Sequence, residues 1–331
     1  MIVKKILYLG TILMLSMLVL VGCSSSDDSE NNSLKVTMIS SVGGINDQSF
    51  NQSSWEGLEQ IKKDFNIDVN YIESNQEAEY STNIETAVDG GADLIIGTGF
   101  PLQGAILEAA KNYPDQKFAI VDVDYGEETP ENVVCITFTE EQAGYVVGLV
   151  AGKKTTTNKV GFVGGMDNEV IKRFEAGYKA GVEEANPNAK VQVQYVNSFV
   201  DAAKGKSIAQ QMYSQGADII FAAAGDSGVG VIEMAKEKNL YAIGVDRDQN
   251  ALAPENVLTS AMKKVNEGVY NTVKAMIEGN YAGGTTLRYG LEDNSIGLAP
   301  STDKNVSQDI IDYVNKKINQ IINKEIEVPS K

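Results

Sequence analysis

From residue 34 onward the chain alternates short apolar runs with longer amphipathic stretches, and it does so twice. The runs at Val36–Ser41, Val69–Glu73, Leu94–Thr98 and Phe118–Val123 predict strands, because a strand covered on both faces reads as an unbroken apolar segment. Between them, Phe50–Phe65, Ser81–Val88 and Leu102–Asn112 predict helices, the first with Trp55, Leu58 and Ile61 at helical spacing. Gly90-Gly91 ends the second helix and Pro101 opens the third. The order then returns, with strands at Val160–Gly164, Val191–Val196, Ile219–Ala224 and Tyr241–Val245. Helices at Glu169–Glu184, Ala202–Gln215 and Gly230–Lys238 fill the gaps. The residues echo as well as the pattern: GADLII at Gly91–Ile96 recurs as GADIIF at Gly216–Phe221, about 125 residues later. KVTMI at Lys35–Ile39 answers to KVGFV at Lys159–Val163, and AIVDVD at Ala119–Asp124 to AIGVDRD at Ala242–Asp248.

Strands alternating with helices imply parallel sheets and right-handed crossovers. The fold class is therefore α/β, with two doubly wound parallel-sheet lobes and a cleft between them, where small ligands bind. Val257–Met262, a helix at Val265–Ile277 and a last helix from about Gln308 to Ile322 follow the second copy. The expected path crosses between lobes more than once, through a multi-strand hinge. Lobe 1 is expected to hold residues 34–138 plus about 248–285, and lobe 2 residues 139–247 plus about 286–331.

The first residues change where the protein is expected to live. Lys4 and Lys5 precede a largely apolar run from Ile6 to Val21, followed by Leu20-Val21-Gly22-Cys23, which looks like a bacterial lipobox. This predicts a signal peptide over residues 1–22, lipidation of Cys23 and a lipoprotein anchored outside the cytoplasm on the bacterial cell membrane. Residues 24–33 contain no apolar side chain, so residues 23–33 read as a disordered tether. Losing Lys4 and Lys5 would move the net charge from −17 to −19. That excess of acid argues against nucleic acid as a partner, since no basic surplus exists to displace counterions. With Cys23 lipidated, Cys135 has no partner for an intrachain disulfide and reads as a small buried apolar residue.

The chain has no histidine, which removes the usual general base and the commonest transition-metal ligand. Gly225-Asp226-Ser227-Gly228 resembles the nucleophile region of trypsin-like proteases, but no triad of that kind can form without histidine. Asp122-x-Asp124 and Asp246-x-Asp248-x-Asn250 carry only part of a calcium-loop pattern, and solvated acidic turns explain them better. Neither a dinucleotide fingerprint nor a phosphate-binding Gly-Lys-Ser/Thr loop is present. The sequence reading is of a protein that is not an enzyme and that has no catalytic residue, metal or cofactor.

What remains is a set of polar and aromatic residues just beyond the carboxyl ends of strands, where open α/β sheets bind ligands. These are Ser41 and the loop to Asp47 and Phe50, then Gly97–Phe100, Asp122, Phe199, Gly225–Ser227, Asp246 and Lys263. Phe50 and Phe199 come from opposite lobes and suit a planar ring held by stacking. Asp122 suits ring N–H or amino donors, and Asp246 a pair of vicinal hydroxyls in charge-assisted bonds. Lys263 can donate to a hydroxyl or balance the carboxylates. Each has a plainer reading, Phe as core or rim and Asp as a helix cap.

Several of these residues lie in longer stretches that resemble the basic membrane protein family, the substrate-binding lipoproteins of nucleoside ABC transporters. The resemblance is carried by GGINDQSFNQSSWEGL at Gly43–Leu58, GTGF at Gly97–Phe100 and VGFVGGMDNEVIKRFEAGYKAGV at Val160–Val182. AIGVDRDQNALAPENVLTSAMKKV at Ala242–Val265 and GLA at Gly297–Ala299 add to it. It implies a type I periplasmic-binding-protein fold closing on a nucleoside, with a permease and an ATPase as partners and no need for an oligomer. By position, Phe50 and Phe199 would stack the base and Asp122 would read its edge. Asp246 would hold the ribose hydroxyls with Lys263 in support, and Asn46 and Asp47 fall in the first binding loop. Two departures stand out: Ser41, where the family often has aspartate, and Asp226, where it usually has glycine. They bear on which ligand fits. A sugar or other small-metabolite receptor on the same fold, and a surface sensor or interaction lipoprotein, are the alternatives.

Overall fold

The computed structural model describes residues 33–331. The signal peptide, Cys23 and all but the end of the tether predicted from the sequence lie outside the described residues. Among the described residues no helix is long and apolar enough to cross a membrane.

The first sheet is built from β1 (Lys35–Ile39), β2 (Asp68–Ile72), β3 (Leu94–Thr98), β4 (Lys117–Val121) and β5 (Val133–Phe138), with β11 (Thr285–Tyr289) at its edge. Its order is β11-β5-β4-β3-β1-β2, and every neighbouring pair is parallel. The second sheet uses β6 (Lys159–Gly164), β7 (Lys190–Tyr195), β8 (Ile219–Ala223), β9 (Tyr241–Asp246) and β10 (Val257–Lys263). Its order is β12-β10-β9-β8-β6-β7, with β12 (Ile296–Leu298) antiparallel to β10. Both sheets thus contain the same five-strand winding, extended by one late strand. β3, β5 and β8 are buried at every position, as expected of central strands covered by helices on both faces.

The sheet membership corrects two sequence expectations. Val257–Met262 was assigned to the first lobe, but β10 pairs with β9 in the second sheet, from Val257↔Ala242 to Met262↔Asp246. It is the fifth strand of the second copy, in the place β5 holds in the first. Conversely, Thr286–Tyr289, assigned to the second lobe, pairs with β5 in the first sheet. Each copy therefore closes its fifth strand before the chain leaves: after Phe138 it crosses into the helix Glu140–Lys154, and after Lys263 into the helix Val265–Ile277. A third crossing joins β11 to β12.

Helix pairs fix these crossings. Gly144, Gly148 and Gly152 recur every fourth residue on Glu140–Lys154 and face Phe174 to Ala185 of the helix Glu169–Ala185, a stretch that carries Gly177 and Gly181. A Cβ on Gly177 would lie 1.9 Å from the carbonyl oxygen of Glu141, so only glycine allows this approach. In the other lobe, a Cβ on Gly57 of the helix Phe50–Phe65 would lie 2.4 Å from the Asn266 carbonyl oxygen. The C-terminal helix Gln308–Ile322 packs on Glu140–Lys154.

Candidate functional site

The cleft opens where the carboxyl ends of both sheets meet. The free space there, open solvent at the mouth included, is about 670 Å³. The first lobe contributes Ser41, Asp47, Phe50 and Asp122 to its lining, and the second lobe Phe199, Gly225, Asp246 and Lys263. The lobes touch around it: the Ser49 hydroxyl donates to Asp246 Oδ2, Arg247 pairs with Glu56 at 2.6 Å, and Gln249 Nε2 donates to the Gln48 carbonyl at 3.0 Å.

Asp122 and Asp246 occupy matching places at the ends of β4 and β9. Each has φ of 64°, a left-handed conformation that aspartate tolerates better than most residues and that turns the carboxylate off the strand end. Lys263, 1 % exposed, stands between them at the end of β10, where the chain leaves the second lobe for the helix Val265–Ile277. Its Nζ donates to Asp122 Oδ2 at 2.5 Å and lies 3.1 Å from Glu140 Oε1. It also sits 5.0 Å from the Phe50 ring centroid, 5.2 Å from Phe138 and 5.8 Å from Phe174, within cation–π range. Glu140 in turn accepts from Arg173 Nε at 2.7 Å. Burial lowers the Lys263 pKa, but Asp122, Glu140 and Asp246 outweigh it and hold the ammonium above its usual value. Burial pushes Asp122 up to about 6 against the pull of Lys263, and Asp246 up to about 6 against Lys263 and Ser49.

The aromatic platforms are held from behind. Phe50 opens the helix Phe50–Phe65, and Asp47 fixes that opening: its carboxylate accepts from the backbone N–H groups of Ser49, Asn51 and Gln52 at 2.8–3.1 Å. Burial raises the Asp47 pKa against those bonds. Asp47 therefore positions Phe50 with both oxygens already occupied. Phe199 rests on Gly165, where a Cβ would come within 2.3 Å of its ring. The Ser41 hydroxyl donates to Asn51 Oδ1 at 3.0 Å.

Three residues singled out in the sequence sit elsewhere. Asn46 is exposed in the first loop and does not line the cleft. Gly97 is buried in β3, where a Cβ would meet Ile106 at 2.8 Å; it serves strand–helix packing. Asp226 opens the helix Asp226–Lys238 outside the cleft lining, and its carboxylate acts at a distance, raising the Asp47 pKa. In the tempting Gly225–Gly228 segment, the Ser227 hydroxyl donates to the Ser198 carbonyl and accepts from the Asp201 N–H, so it braces the Phe199 turn. Gly99 and Phe100, from the stretch Gly97–Phe100, do line the cleft; conversely, Asn168, Val170 and Phe174 line it and are not among the strand-end residues read from the sequence. Asn168 follows β6 at its carboxyl end, so the strand-end rule could have found it.

Two parallel-sheet lobes joined by repeated crossings around one cleft are the architecture of a type I solute-binding protein. The family described as "ABC transporter substrate-binding protein PnrA-like" matches residues 34–331, and the chain belongs to it. Its members bind and deliver substrates rather than transform them. The chain is 38% identical to the "ABC transporter nucleoside-binding protein BmpA" of Lactococcus lactis, over 99% of each chain. It is 43% identical to a "CD4+ T-cell-stimulating antigen" of Listeria innocua, over 93% of this chain and 91% of that one. Among solved structures, an ABC transporter solute-binding protein of Aeropyrum pernix aligns with a TM-score of 0.82 at 27% identity, covering 90% of this chain and 94% of that one.

Proposed function

We propose that this substrate-binding protein captures a nucleoside between its lobes and presents it to the permease of an ABC importer, as a lipoprotein tethered through Cys23 outside the cell membrane. The observation that carries the reading is the convergence in one cleft of Phe50 and Phe199, from opposite lobes, with Asp122, Asp246 and Lys263. Two rings suit a flat base, and two buried carboxylates suit base and ribose donors. The nucleoside-binding relative of Lactococcus lactis supports the same reading. Capture works because a ligand touching both lobes favours the closed state by its differential affinity. Permease recognition of that closed form then couples capture to transport, with ATP hydrolysed on other subunits.

The test is native mass spectrometry of residues 24–331, purified without added ligand and then denatured, followed by calorimetry with nucleosides and with free ribose. A released nucleoside, or nucleoside binding that equimolar ribose does not displace, is the expected result. A protein that ignores nucleosides and binds a sugar would overturn it.

A further inference from the structure

The helix Glu169–Ala185 begins on Asn168, whose side-chain Oδ1 accepts from the Ile171 N–H at 3.1 Å. That cap fixes which end of the amide points where, because only the oxygen can accept from the backbone. Nδ2 is left on the other side, buried from solvent and without a hydrogen-bond partner. Asp122 presents the mirror case from the opposite lobe: Oδ2 takes Lys263, while Oδ1 is buried and has no partner. Both residues line the cleft, and both also line the polar cavity that adjoins it alongside Arg173 and Arg288. Asp246, Gly225 and Asp47 line only the cleft proper. The unpartnered donor and acceptor therefore share one end of the site, away from Gly225 and Asp47.

A buried polar group without a partner is costly to leave unpaired, so a ligand that satisfies both gains what one satisfying neither forfeits. An amide NH₂ can only donate and a carboxylate can only accept. The complementary edge is a donor beside an acceptor, and the carboxylate favours the more acidic N–H. A lactam edge, –NH–C(=O)–, meets both demands, its ring N–H facing Asp122 and its carbonyl facing Asn168.

We propose that Asn168 is a specificity-determining residue that, paired with Asp122, selects nucleosides whose base carries a lactam edge, such as hypoxanthine and guanine, over the amino base adenine. The proposal rests on the nucleoside reading and narrows it. The ribose then lies toward Asp246, and the base edge faces the adjoining polar cavity.

Calorimetry on the unaltered protein with inosine, adenosine and N1-methylinosine is the first experiment. Inosine should bind about tenfold or more tightly than either of the others, the effect of one unpaired buried polar group. Asn168→Asp keeps an oxygen to cap the helix and replaces the donor with a second acceptor. It should weaken inosine by about tenfold while the adenosine amino group gains an acceptor, so the inosine-to-adenosine ratio collapses. Equal affinity for inosine and adenosine in the unaltered protein, or an unchanged ratio in Asn168→Asp, would overturn the assignment of Asn168 and leave nucleoside capture standing. Failure of every nucleoside to bind removes the parent reading and this one with it. The N1-methylinosine comparison needs no variant, so a folding defect in Asn168→Asp does not spare the proposal.

Discussion

Asp122 follows the fourth strand of the first winding and Asp246 ends the fourth strand of the second, with the same left-handed backbone and carboxyl pKa values raised alike by burial. Their partners differ. Asp122 is paired with a cation from the other lobe and keeps one oxygen unpartnered, whereas Asp246 holds a neutral hydroxyl, that of Ser49, from the other lobe. The duplicated winding thus delivers two carboxylates to one cleft by one backbone device, and the strand-to-helix crossings decide what each can do. Lys263 ends β10 at the place where Phe138 ends β5. That one position makes the two halves chemically unequal.

Removing the inequality should have the largest effect. Lys263→Met leaves Asp122 buried without its cation and Glu140 with Arg173 alone, and breaking a buried pair from one side costs about 3–5 kcal/mol. Thermal or urea denaturation should show that loss, and an unchanged midpoint would mean that the carboxylates are protonated or hydrated at neutral pH. Next come the two rings. Phe50→Ala and Phe199→Ala should each weaken nucleoside binding by about 1–3 kcal/mol, the range for losing base–aromatic stacking. Calorimetry that finds only one of them sensitive would replace a sandwich with a single platform.

Acid should move binding and stability in opposite directions. Above pH 6 both carboxylates are ionised and accept from ligand donors; as pH falls through about 6 they take up protons, and affinity should decline. The unfolded chain still has ionised carboxylates down to about 3.8, so between about 6 and 4 the folded state binds more protons than the unfolded one. The contribution of these two groups to stability therefore rises as pH drops through that window. Affinity measured from pH 7.5 to 5, in the unaltered protein and in Asp246→Asn, separates their shares; a flat profile would sink the assignment. The smallest effect belongs to the rim: Arg247→Ala removes a partly exposed pair with Glu56 and should change affinity by less than about 1 kcal/mol.

Much of the fold was legible because periodicity reports burial directly. The repeated apolar runs located β1 to β4 and β6 to β9, and the three echoes located the lobes. The path after β9 was not legible. β10 carries Thr259 and Ser260, fully buried yet polar, so its composition does not announce a central strand. Nothing local distinguishes a fifth strand of the second copy from a return to the first; pairing with β9 decides it. The site shows a similar division. The strand-end rule finds a neighbourhood, and it brought forward Asp122, Asp246 and Phe199. It does not give direction. Gly97 is one residue short of the end of β3 and faces a helix, while the helix opened by Asp226 carries that carboxylate outside the lining. Asn168 escaped because a helix cap is a sufficient reason for an asparagine, and its second atom shows its use only once the opposite lobe is in place.

The late edge strand β11 bears on how the molecule comes into being. It pairs with β5, and Thr137 Oγ1 donates to the Leu287 carbonyl across 150 positions of chain. During synthesis, the sheet that emerges first cannot gain its last strand until nearly the whole polypeptide has left the ribosome, about 150 residues after its fifth strand. Contacts of such long range slow folding. The half that is made first thus stays without its edge strand until residues 285–289 have been made, leaving that sheet open for most of the chain's production.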